Sequence, residues 1–201
     1  MSITTYAELQ AAIGGWLGHG LFTATIPDFI TLFEAAANRR LRVRQQEATA
    51  TLTPVSGAAT LPADYLAWRR VTWTGSPRVE LDYVEPSWLQ AAYPTSPART
   101  PTVFTIEGST LKVRPVDATA LEFLYYQRIP ALSDVATTNW LLAAHPDLYL
   151  FGAMVEAELF GVNDERMPLW KGRRDEIFDE IEKLSNKTRG AGAMRIMGTV
   201  V

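Results

Sequence analysis

The sequence predicts an α+β fold, mainly α: a helical bundle that carries a small inserted antiparallel β-domain and ends in an extended C-terminal tail. Three observations predict it. Apolar residues recur at helical spacing at both ends of the chain, up to Leu41 and again from Asn139 to Leu184. From Glu47 to about Gln127 the period is two. Beyond Leu184 no period remains. These changes divide the chain into bundle helices over residues 1–46 and 136–185, the β-domain over 47–135, and the tail over 186–201.

Thr5-Tyr-Ala-Glu8 has the form of a capping box, in which the Thr hydroxyl and Glu carboxylate satisfy each other's backbone donors. Leu9, Ala12, Ile13, Trp16 and Leu17 follow at helical spacing until Gly14, Gly15, Gly18 and Gly20 weaken and end the helix. A second helix starts near Thr25, with Pro27 in its first turn and Asp28 at its positive end. It ends in the basic stretch Arg39-Arg-Leu-Arg-Val-Arg44.

Ala48–Leu52 alternates weakly. Trp68–Thr74 and Arg78–Val84 flank Gly75-Ser-Pro77, and Val103–Ile106 and Thr110–Arg114 flank Glu107-Gly-Ser109, so two hairpins are expected. A short helix over Ser87–Ala92 and a Pro-rich loop separate them, and Leu121–Tyr126 is a further strand. Helices return at Asn139; Pro146 opens one with Leu148, Phe151, Gly152, Val155 and Leu159 on a stripe. Gly161-Val-Asn-Asp164 breaks it, and the next helix aligns Met167, Trp170, Ile177, Ile181 and Leu184. The expected bundle core is Trp16, Phe29, Phe33, Phe151, Val155, Ile177 and Ile181, with the sheet projecting from it. Ser185–Ala193 reads as a flexible linker, ahead of an apolar end.

Composition narrows the chemistry. The 201 residues hold no Cys, which excludes disulfides, zinc ribbons, iron–sulfur clusters and thiol catalysis. Two His, His19 and His145, cannot form a multi-histidine metal centre. A net charge of −3 argues against whole-surface attraction to nucleic acid. No apolar run reaches the roughly 20 residues of a membrane span, and the N-terminus lacks the pattern of a secretory signal, so synthesis in the cytoplasm and no membrane partner are expected.

No phosphate-cradling Gly loop or Gly-x-Ser-x-Gly elbow is present. His145 and Asp147 could form a base and its orienting carboxylate, but a His–Asp pair alone meets none of the geometric demands of a triad, and a helix entry accounts for both. Glu156, Glu158, Asp164 and Glu165 are neighbours along the chain rather than across a cleft, so they read as a solvated or channel-lining face. Two alternatives to a structural protein thus remain: a hydrolase acting through Asp/Glu, with His145 or this acidic cluster as the site, and a nucleic-acid-binding module using Arg39–Arg44. No catalytic residue, cofactor or metal ligand is assigned.

Seven segments, read in order, carry a resemblance. They are Thr4-Thr-Tyr-Ala-Glu-Leu-Gln, Ile26-Pro-Asp-Phe-Ile, Asn38-Arg-Arg-Leu-Arg-Val-Arg, Leu61-Pro-Ala-Asp-Tyr-Leu, Tyr125-Tyr-Gln-Arg-Ile-Pro-Ala-Leu-Ser-Asp134, Asn139-Trp-Leu-Leu and His145-Pro-Asp-Leu-Tyr-Leu-Phe-Gly. Their order and spacing resemble the head-to-tail adaptor (connector) proteins of tailed bacteriophages, over about Thr4 to Leu184. The resemblance implies a structural virion protein at the head–tail interface. It implies a ring, commonly dodecameric, below the portal protein, which extends the channel for double-stranded DNA and docks tail or nozzle proteins. Arg166, Arg173 and Arg174 are then expected at the subunit interface. Met194, Arg195, Ile196, Met197, Val200 and Val201, beyond the matched pattern, are expected to dock on the portal, because apolar side chains on a free tail need a home.

Overall fold

The computed structural model describes residues 3–18, 20–95, 98–161 and 166–190. The fold is α+β. Helices α1 (Tyr6–Leu17) and α2 (Ile26–Arg40) come first, joined by a 3-10 turn over Gly20–Thr25. Strands β1 (Glu47–Leu52), β2 (Ala58–Thr60), β3 (Tyr65–Trp73), β4 (Val79–Glu80) and β5 (Asp82–Tyr83) follow. Then come α3 (Pro86–Ala92), β6 (Val103–Glu107), β7 (Thr110–Arg114) and β8 (Leu121–Gln127). Helices α4 (Trp140–Ala144), α5 (Pro146–Gly161) and α6 (Met167–Gly190) end the described chain. Two compact units result: Met1–Gln45 with Ile129–Val201, and Gln46–Arg128.

The helical unit is set by local signals and one apolar core. The capping box is formed: Glu8 N–H donates to Thr5 Oγ1, and Thr5 N–H donates to the Glu8 carboxylate at 3.1 Å. Gly18 closes α1 at φ 74, a left-handed conformation that glycine adopts without a Cβ penalty. Leu9, Ile13, Phe29, Phe33, Leu148, Met154, Phe178 and Ile181 are among its buried residues. Phe33 meets the Tyr149 ring at 5.0 Å and lies directly over Gly152, where a Cβ would fall 2.0 Å from the ring. That glycine lets α2 and α5 approach closely.

Part of the expected core is displaced. Phe29, Phe33, Val155 and Ile181 are buried, but Trp16 is 45% exposed, and Phe151 and Ile177 are half-buried. Trp16 instead packs at the margin against Phe151 and Trp170, with centroids at 6.0 and 5.4 Å. On α6 the inward stripe is Phe178, Ile181 and Ser185, which leaves Leu184 exposed. Leu159 is likewise exposed. Helical spacing fixes which residues share a face, not which neighbouring stripe turns inward. α6 also continues to Gly190 where a linker was expected from Ser185; buried Ser185, whose Oγ accepts the Arg44 N–H, ties this turn to the unit.

The β unit holds two four-stranded sheets, in the orders β1-β8-β3-β4 and β2-β7-β6-β5. The expected β6–β7 hairpin forms around Gly108-Ser109, with Gly108 at φ 58 in the first loop position, where a tight turn favours glycine. The other hairpin is truncated. Only Val79–Glu80 pairs with β3, and buried Leu81 still donates its N–H to Val71. Asp82–Tyr83 then leaves for the second sheet and runs parallel to β6. One stretch that alternates evenly in sequence thus serves two sheets, and Leu81 is the point of transfer. Register shifts in β3 accompany three exposed residues in succession, Trp68, Arg69 and Arg70, of which Trp68 still packs on Tyr83 and Phe104. Leu111, Val113, Phe104, Leu121 and Phe123 form the core of this unit.

Candidate interaction surface

The Arg39–Arg44 stretch does not form a basic stripe. Arg40 lies over the Phe178 ring at 4.6 Å and fans its guanidinium onto α6. It donates to Asp175 at 3.2 Å and Glu182 at 3.0 Å, and also to Asp179. Arg42 donates to the carbonyls of Asn38 and Leu41 at the end of α2, where the helix dipole favours a cation. Arg39 and Arg44 are exposed. One cation is therefore neutralised by three carboxylates and another caps a helix. A phosphate-tracking surface needs contiguous free cations, so the geometry speaks against a nucleic-acid module here.

The carboxylates do not converge either. Glu158 is buried and accepts from Trp170 Nε1 at 3.4 Å, whereas Glu156 is half-exposed. His145 closes α4 with its N–H on the Leu141 carbonyl, and Asp147 accepts the Leu148 N–H at the start of α5. Both residues act at helix ends, and no bond joins their side chains among the described residues. His19, Asp164 and Glu165 lie outside those residues. Among the described residues no group of three or more His, Asp or Glu is placed to hold a metal ion, and no helix is long and apolar enough to cross a membrane.

The buried polar centre lies elsewhere, in residues that carry no recognisable spacing. Glu34 on α2 accepts from the Leu132 N–H at 2.9 Å and from the Tyr149 hydroxyl at 3.0 Å. Asn139 donates to that hydroxyl at 2.6 Å and to the Pro130 carbonyl at 2.7 Å, while its oxygen caps α4 through the Leu142 N–H. Burial pushes the Glu34 carboxyl above its ordinary range, against the two hydrogen bonds. Burial, and then the neighbouring Glu34 charge, push the Tyr149 phenol up. The phenol stays neutral and serves as donor and acceptor at once.

This network fixes the loop that returns the chain to the helical unit. Asn38 Oδ1 accepts from the Ile129 N–H, Glu34 holds Leu132, and the Tyr6 N–H donates to the Thr137 carbonyl at 2.7 Å. Between these anchors, Ser133–Ala136 forms a tight turn. Ser133 N–H donates to the Ala136 carbonyl at 3.0 Å, and Ala136 N–H donates to Ser133 Oγ at 2.9 Å. The turn holds Asp134 and Val135 outward, the valine 96% exposed. The expected family segment ending in Asp134 therefore builds an exposed rigid projection, which spacing alone does not reveal.

Of the residues expected at a subunit interface, Arg166 is exposed just before α6. Arg173 pairs with Glu176 at 3.1 Å, and Arg174, with 17% of its side chain exposed, pairs with Asp175 at 3.0 Å. Arg173 and Arg174 are thus engaged within the subunit. Met194, Arg195, Ile196, Met197, Val200 and Val201 lie outside the described residues.

A family model described as SU10 adaptor protein matches residues 4–197. None of the curated proteins compared with the chain matches it.

Proposed function

The chain belongs to the SU10 adaptor protein family, a family of phage head-tail adaptors, and from that premise we propose that it is one subunit of a ring at the head–tail junction of a virion. The ring sits below the portal, dodecameric like the portal-bound rings its sequence resembles. It continues the DNA channel and presents a docking surface to tail or nozzle proteins. Its role is structural, and double-stranded DNA passes through the lumen without specific binding.

The family match over nearly the whole chain carries this reading. The distribution of charge supports it. Arg40 and Arg42, two of the four cations of the basic stretch, are turned onto carboxylates and helix-end carbonyls, while Glu180 of α6 is exposed. Acidic surface lets DNA slide, because each Lys/Arg–phosphate contact would retain it. In this reading Met194, Ile196, Met197, Val200 and Val201 dock on the portal, with Arg195 favouring an acidic portal surface. Arg166, Arg173 and Arg174 lie toward the neighbouring subunit.

The test is assembly. Purified protein is mixed with DNA-filled, portal-bearing capsids that lack it, and the particles are imaged. A ring of density below the portal is expected. A variant ending at Gly190 should fold, with an unchanged helical signal, and fail to load. Reversing Arg166 and Arg173 should impair loading more than stability, since exposed charges contribute little to folding. Protein that stays free of portal-bearing particles at physiological salt overturns the adaptor ring; full loading of the truncated variant overturns the role given to the tail.

A further inference from the structure

Two features of the helical unit complement each other. The first is the Asp134–Val135 turn, rigid because hydrogen bonds close it and anchor both of its flanks. Single exposed apolar side chains are common on protein surfaces. A fully exposed valine on a turn tethered to a buried network is different, because its position is already fixed. Among the described residues no cation pairs with the Asp134 carboxylate. The second feature is a hollow of about 200 Å³ where the 3-10 turn Arg44–Gln46 after α2, the α4–α5 junction and α6 meet. It is open to solvent and large enough to admit a small side chain.

The hollow is lined by Arg44, Gln45, His145, Ile181, Leu184 and Ser185. Arg44 and His145 supply nitrogen donors, and Ile181 and Leu184 supply an aliphatic wall. No carboxylate lines it, and the Arg44 guanidinium has no ion-pair partner among the described residues. Its neighbours Arg40 and Arg42 are both engaged. A carboxylate beside a small aliphatic side chain complements the charge and the apolar part of this lining.

We infer that the Asp134–Val135 turn of one subunit inserts into the Arg44–His145 hollow of a second copy, with Asp134 on the guanidinium and Val135 against Ile181 and Leu184. The contact rests on the ring reading above and gives it a mechanism. Projection and hollow are different surfaces, so the contact is head-to-tail. Each subunit keeps one free projection and one free hollow for the next, as a closed ring requires. The pre-ordered turn reduces the entropy lost on docking.

The chain has no cysteine, so introduced thiols are the only ones present. Val135→Cys and Leu184→Cys proteins are purified separately, mixed, and oxidised mildly, both at high concentration and after loading on portal-bearing capsids. A disulfide dimer containing one of each variant is expected, well above what either variant forms alone. In a second arm, Asp134→Arg and Arg44→Asp should each weaken self-association roughly tenfold or more, as for loss of a charge-assisted pair. The doubly substituted chain should recover it, and all variants should melt as the wild type does. If rings form without the mixed disulfide and Asp134→Arg associates normally, this contact is overturned and the ring stands. If the mixed disulfide forms but no ring does, the contact stands and the ring reading fails. Cross-linking of Val135→Cys with itself as fast as with Leu184→Cys also overturns the contact.

Discussion

Glu34 shows how one buried carboxyl organises a surface it never reaches. Its oxygen accepts from Leu132 and from Tyr149, so α2, α5 and the return loop share one acceptor. Removing the phenol oxygen leaves Glu34 and Asn139 each short of a partner, and Tyr149→Phe should cost about 1–2 kcal/mol in urea denaturation. The dependence on pH has a definite sign. Burial holds Glu34 above its ordinary value of 4.5, so the native state keeps the proton to higher pH than the unfolded chain. From that ordinary value up to the raised native one, the native state binds more protons, and stability falls as pH rises. Glu34→Gln retains an accepting oxygen and cannot ionise. Its stability should therefore be flatter above pH 4.5 and should equal or exceed the wild type at pH 8. A profile parallel to the wild type would locate the dependence elsewhere.

At the scale of elements, the packing of α2 on α5 depends on Gly152. Alanine there gains up to about 1 kcal/mol of helix propensity. Its Cβ, however, would lie 2.0 to 2.6 Å from three atoms of the Phe33 ring, which is itself wedged against Tyr149 and Phe178. Overpacking should win, and Gly152→Ala should lose about 1–3 kcal/mol by thermal or urea unfolding; a stabilised variant would mean that the ring moves freely. What the sequence reveals follows the same division. The Thr5–Glu8 capping box, the return of helix at Asn139, the Gly108-Ser109 turn and the start of α5 at Pro146 are all legible, because each is decided within four residues. The split of Arg78–Val84 between two sheets is not, since alternation is identical on either side of Leu81. Nor is the fate of Arg40, whose partners lie 135 to 142 residues away, nor the Glu34 centre, whose members share no spacing. Family resemblance drew attention to the segment ending at Asp134, yet only the anchoring bonds show it to be a projection.

At the scale of the whole molecule, each unit carries its own core, and this has a testable consequence for where function lies. The first and last strands of the β unit are partners: β1 pairs with β8, with Glu47 opposite Tyr126. The chain therefore enters and leaves that unit at points only about 5 Å apart, the spacing of an antiparallel pair. A short Gly-Ser linker in place of residues 47–127 can span such a gap without strain. Residues 46–128 enclose Leu111, Val113, Leu121, Phe123 and Phe104 without contributions from outside, so that piece should fold alone, with dispersed amide resonances and a cooperative urea transition. Domains this small are marginal, so its midpoint should be low rather than absent. The linker-bridged remainder keeps Arg44, Glu34, Asp134, Tyr149 and all of α6. It should retain its helical signal and its self-association, because the turn, the network that holds it and the hollow all belong to the helical unit. Loss of self-association in a bridged protein that still melts cooperatively would place the subunit contact on the β unit instead.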